Sequence, residues 1–79
     1  MTKLFSYNIA KNANQEVFKN ACGSIKSKIK DIREEYQLVD VDGTQIQIYS
    51  TADGKIKIYN DYEVDAVYVE SEINLQNVI

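Results

Sequence analysis

Apolar and polar residues alternate from the start of the chain. Residues 3–9, KLFSYNI, set Phe5, Tyr7 and Ile9 on one side at period two, which predicts a short first strand. The period then lengthens. Over residues 13–35, Phe18, Ala21, Cys22, Ile25, Ile29, Ile32 and then Tyr36 gather on one side at 100° per residue, the spacing of an amphipathic helix. Asn12 with Gln15, or Asn14 by itself, offers the start cap. Such a helix would run ~35 Å, whereas a six-residue strand spans ~20 Å. It must therefore cross a sheet obliquely, overhang it, or break, and Gly23-Ser24 is the weak point. One helix, bent there if anywhere, is expected.

Alternation returns at residue 36. In YQLVDVDGTQIQIYS, Asp42-Gly43 separates two alternating runs and reads as a two-residue hairpin loop. That loop pairs Val39 with Ile46 and puts Val39, Val41, Ile46 and Ile48 on one face. A three-residue loop at Ala52-Asp53-Gly54, with Gly54 in the left-handed region, keeps Ile56 and Ile58 on that same face. The expected result is four isoleucines turned to the helix. Gln45, Gln47, Tyr49, Lys55, Lys57 and Tyr59 then face away from it. A further alternating run, YEVDAVYVES, would continue the inner face with Val64, Ala66 and Tyr68 and set Asp65 near Lys57 outside. INLQNVI would add a short edge strand or a tail. The fold class expected is α+β: one long helix packed on one face of a four- to five-stranded, mostly antiparallel sheet, order β-α-β-β-β, in a single domain spanning 1–79.

Composition narrows the chemistry. One cysteine, Cys22, permits no internal disulfide and suits a reducing compartment. Without histidine, Ser-His and Cys-His catalysis are excluded, and a zinc site lacks its ordinary ligands. No cofactor and no small-molecule substrate is expected, and the reading is non-enzymatic. No apolar run reaches signal-peptide or membrane-span length, so the chain is expected to act whole, away from membranes.

Charge is uneven along the chain. Residues 1–39 carry seven basic and four acidic side chains, whereas residues 40–79 carry two and eight. The net −3 disfavours an avid nucleic-acid binder, which needs a basic surface to neutralise phosphate.

Three surfaces are candidates for binding. The uncovered sheet face would present Gln45, Gln47, Tyr49, Lys57 and Tyr59. Tyrosine contributes large contact area at low rotamer cost, which favours protein recognition, with self-association as a further reading of the same face. Asp61, Glu63 and Asp65, with Glu70 and Glu72, could extend that surface or imitate the charge spacing of a nucleic acid. Lys19, Lys26, Lys30 and Arg33 fall within about 60° of one another on the expected helix and form the alternative, phosphate-tracking stripe. Each has a plainer explanation. Tyr and Gln satisfy strand propensity, any amphipathic helix needs a solvated face, and acids near strand ends keep edges apart.

The lone strand KLFSYNI, one helix, the meander VDVDGTQIQIYSTADGKIKIY and an acidic C-terminal half together resemble, in size and element order, small phage- and prophage-encoded inhibitors, including some anti-CRISPR proteins. The resemblance is one of architecture and transfers no functional residue. It implies a compact, non-enzymatic protein of the bacterial or phage-infected host cytoplasm that occupies a surface of another protein or nucleoprotein complex.

Overall fold

The computed structural model describes residues 4–76. Its elements are β1 (Phe5–Ala10), α1 (Gln15–Lys28), β2 (Arg33–Val39), β3 (Gln45–Thr51), β4 (Gly54–Asp61) and β5 (Ala66–Ser71). This is an α+β fold with one helix and one five-stranded sheet in the order β1-β5-β4-β3-β2, every neighbouring pair antiparallel. One strand more follows the helix than the β-α-β-β-β order allowed.

The helix starts where capping chemistry places it. Asn14 is extended, and its side-chain oxygen accepts from the Val17 amide at 3.1 Å. Gly23 does not break it. It ends at Lys28, however, well short of residue 35. Ile29 is extended, Asp31 takes a left-handed conformation at φ 60°, and residues from Arg33 onward pair with β3. A turn at residues 29–32 and strand pairing from Arg33 thus replace the helix over the last seven expected positions. Fourteen residues give ~21 Å, close to the length of the strands beneath. Phe18 and Ile25 are buried, and Val17, Ala21, Cys22, Ile29 and Ile32 pack against the core, as the periodicity indicated. Tyr36 does not join them; it lies in β2.

Both hairpin loops differ from expectation, and their lengths are exchanged. The Asp40 amide donates to the Thr44 carbonyl at 2.9 Å, enclosing Val41, Asp42 and Gly43 in a three-residue loop. Gly43 carries the positive φ of 90° that such a loop requires, and the Asp42 carboxylate accepts from the Thr44 amide at 2.9 Å. Val39 therefore pairs with Gln45, and Leu38 with Ile46. In the second hairpin Thr51 pairs with Gly54, leaving only Ala52 and Asp53 in the loop. The Thr51 hydroxyl closes it, accepting from the Asp53 and Gly54 amides and donating to the Gly54 carbonyl.

One residue of slip turns over a strand. Ile56 and Ile58 face the helix as expected, but their partners are Tyr49 and Gln47, not the Ser50 and Ile48 that a three-residue loop would set opposite them. The four isoleucines do not share a face. β5 is inverted likewise: Val67, Val69 and Ser71 are inward and buried, whereas Ala66, Tyr68 and Glu70 face out. Val64 and Asp65 belong to no strand. Residues 73–76 form no strand either; Leu75 is buried and its amide donates to the Tyr7 hydroxyl at 2.7 Å. The rest of the INLQNVI segment lies outside the described residues.

The core is Phe18 and Ile25 of the helix over Tyr49, Ile56, Ile58, Val67, Val69 and Leu75. Asn60, fully buried, joins it to the helix start. Its side-chain oxygen accepts from the Asn14 amide at 3.0 Å, and its amide nitrogen donates to Gln45 and to the Tyr62 hydroxyl. No buried side-chain polar atom among the described residues lacks a partner.

Candidate partner-binding surface

The sheet face turned away from the helix has no second layer among the described residues. Its composition follows from the register. Leu38 pairs with Ile46, Ile46 with Tyr59, and Tyr59 with Tyr68, so these four form one row across β2, β3, β4 and β5. Tyr36 and Ile48 stand side by side in the next row, continued by Lys57 and Glu70. Leu38 is 48% exposed and Tyr36 55%, whereas Ile48 between its neighbours is buried.

The two tyrosines are held in place. Their rings stack with centroids 4.6 Å apart and 11° between planes. The Tyr68 hydroxyl donates to the Asp61 carboxylate at 3.0 Å. Burial, then that acceptor and the charge on Asp61, push its pKa up to about 12. Burial also raises Tyr59, with Glu70 adding to it. Both hydroxyls therefore remain protonated donors at neutral pH. Leu4, Lys55, Lys57, Tyr59, Glu70 and Glu72 border a shallow depression of about 180 Å³ on this side. The face combines an apolar band with a charged margin.

The residues expected on this face are divided between the two sides of the sheet. Lys57 and Tyr59 are on it. Gln45, Gln47 and Tyr49 are on the helix side. Tyr49 is 2% exposed beneath the chain's own helix, in the core that the thiol-bearing Cys22 packs against. Burial pushes that thiol up to about 11, so Cys22 is a poor nucleophile near neutrality. Gln47 is buried, with its side-chain amide donating to the Tyr36 carbonyl. Five outer-face residues were not among those named for it: Tyr36, Leu38, Ile46, Ile48 and Tyr68. Gly43 was the available signal, because the argument that puts glycine at the third loop position applies to it as well as to Gly54.

The acidic residues serve the turns first. Asp61 accepts from the Glu63 and Val64 amides, and Asp65 from the Ala13 amide and the Asn12 side chain. Asp65 lies in the β4–β5 turn at φ 58°, while Lys57 pairs with Glu70 instead. Those bonds hold Asp65 below the usual carboxylate range, and the Thr44 amide does the same for Asp42. Glu63 remains exposed in that turn.

The basic stripe is not one helix face. Lys19 and Lys26 lie on α1, Lys30 in the turn beyond it, and Arg33 at the start of β2. Lys26 pairs with Glu34 at 3.6 Å. Among the described residues no three His, Cys, Asp or Glu side chains group as metal ligands, and no helix is long and apolar enough to cross a membrane. Comparison with known proteins finds no matching family model, no similar curated protein and no similar solved structure.

Proposed function

We propose that this chain is a non-enzymatic protein-binding module, an inhibitor or adaptor that works by covering a surface of a partner protein or nucleoprotein complex. The observation that carries the reading is the unlayered row Leu38–Ile46–Tyr59–Tyr68, with Tyr36 beside it. A stacked, hydrogen-bonded tyrosine pair is an anchor whose side-chain entropy is already spent before binding. Lys55, Lys57, Glu70 and Glu72 supply a margin of both signs that can orient a partner. The half-buried free thiol and the resemblance to phage-encoded inhibitors favour the cytoplasm of a bacterial host. The nucleic-acid alternative is weaker, because its four basic residues are spread over a helix, a turn and a strand.

Affinity capture from host lysate with Tyr59→Ala/Tyr68→Ala, beside Lys19→Ala/Lys26→Ala, tests this. With both variants shown folded by circular dichroism, a partner lost only by the tyrosine pair supports the outer face. A partner held equally by both variants overturns it. So does a protein that binds DNA or RNA with a steep loss of affinity on adding salt.

A further inference from the structure

Strand β2 ends the sheet, and among the described residues no strand pairs with its open side. All seven of its residues are exposed. The direction of its free groups can be worked out. Asp40 donates its amide to Thr44 of the β3 side. Amide and carbonyl directions alternate along an antiparallel strand, so Leu38 and Tyr36 also point at β3. The Tyr36 carbonyl, which accepts from the Gln47 side chain, agrees. The main-chain groups of Gln37 and Val39 are then turned to the open edge.

The two halves of this edge are treated differently. The first half carries Arg33, Glu34 and Glu35 and a bulge between Glu34 and Tyr36, devices that discourage edge pairing. The second half, Tyr36–Val39, has no charge, no bulge and no proline.

We propose that Tyr36, Gln37 and Leu38 pair antiparallel with the same three residues of a second copy, about a two-fold axis through Gln37 that sets Val39 opposite that copy's Glu35, making one continuous ten-stranded sheet. Three features fit that register. Gln37 points outward, as the central hydrogen-bonded pair of a two-fold ladder must. Opposed residues fall on matching faces, so Tyr36 meets Leu38 of the second copy, and Leu38 meets its Tyr36. The outer-face rows then run on as Ile48–Tyr36–Leu38–Ile46 across the axis. Charge is also complementary, because antiparallel pairing brings Arg33, beyond the bulge, toward the second copy's acidic Asp40–Asp42 turn. Val41 is fully exposed in the single chain and gains cover there. Glu34 would face that Asp40 unfavourably, but it is engaged by Lys26 at 3.6 Å.

Size sets the strength. A standard interface takes ~800 Å² from each partner, about 15% of this chain's 5357 Å². A three-residue ladder flanked by Val39 and Val41 stays below that, so the dimer is weak, with a dissociation constant of about 10–100 µM. This inference shares Leu38 and Tyr36 with the partner-binding surface but does not rest on that reading, since the ladder is made by main-chain groups of the edge and the Tyr59–Tyr68 pair takes no part in it.

Sedimentation velocity from about 5 µM to about 1 mM is the test. The mean mass should rise from 9.0 kDa toward twice that value, and added salt should weaken the rise. Gln37→Pro, which removes only an outward amide, and Leu38→Lys should each return the monomer, whereas Tyr59→Ala/Tyr68→Ala should not. Hydrogen exchange at the Gln37 and Val39 amides should slow with concentration. A mass of 9.0 kDa throughout overturns the proposal. So does a dimer that survives both edge variants, or one that leaves those two amides exchanging as fast as in the monomer.

Discussion

The two sides of this sheet, divided along its width, are built on different terms. Over β4, β5 and β1 the helix lays Phe18 and Ile25 onto Ile56, Ile58, Val67 and Val69, and the four sheet residues are at 0% exposure. Toward β2 the sheet runs out from under the helix. The inner face there is Gln45 and Gln47, and β2 has no buried residue. One chain thus contains a region closed by its own second layer and a region with apolar residues but no layer. The difference teaches that the flank is held by main-chain pairing and by side-chain hydrogen bonds such as Gln47 to Tyr36, and not by apolar burial. Surface left over from folding in this way is what a small domain has available for partners.

That contrast can be broken by experiment. The largest effect is expected from Ile58→Ala, which empties a fully buried site under the helix and should cost ~3 kcal/mol in chemical denaturation. Leu38→Ala, half exposed on the flank, should cost under ~1 kcal/mol. Equal losses would mean that the flank is as much a part of the core as the covered side. Next comes Asn60→Ala. It leaves the Asn14 amide and the Gln45 side chain without their buried partner, and ~2 kcal/mol of stability should go with it. An unchanged denaturation midpoint would show that the helix start does not depend on that link.

The smallest effect concerns pH. Asp65 is held below its ordinary 3.8 by the Ala13 amide and the Asn12 side chain. A depressed folded value stabilises the protein above the unfolded pKa, and the contribution is lost as pH falls through the folded one. Melting temperature should therefore decline as pH is lowered below about 4, and Asp65→Asn should flatten that decline. A wild type and variant with parallel acid limbs would show that the tether does not discriminate between protonation states.

Much of the architecture could be read along the chain. The alternation of Phe5, Tyr7 and Ile9, the helical face from Phe18 to Ile25, and two Asp-Gly turns correspond to real elements. The candidate surface was only partly legible. Tyr59 and Lys57 were expected on the outer face and are found there; Tyr49, Gln45 and Gln47 are on the opposite side. The cause is local. Each hairpin register depends on whether its loop holds two residues or three. At the first turn the Asp40–Thr44 closure settled that, and at the second the Thr51 hydroxyl did.

Sequence by itself determined which segments extend and which coil, because the periods of two and 3.6 and the Asn14 cap are properties of neighbouring residues. It also determined that there is a single helix to cover a sheet of many strands. Tertiary structure decided where that helix stops, since Arg33–Val39 gains more from pairing with β3 than from two further helical turns. It decided, too, which side of β3 is inside. QIQIYS carries large side chains on both faces, and the two loop closures, with Phe18 and Ile25 lying above the neighbouring strand, set Tyr49 rather than Ile48 beneath the helix.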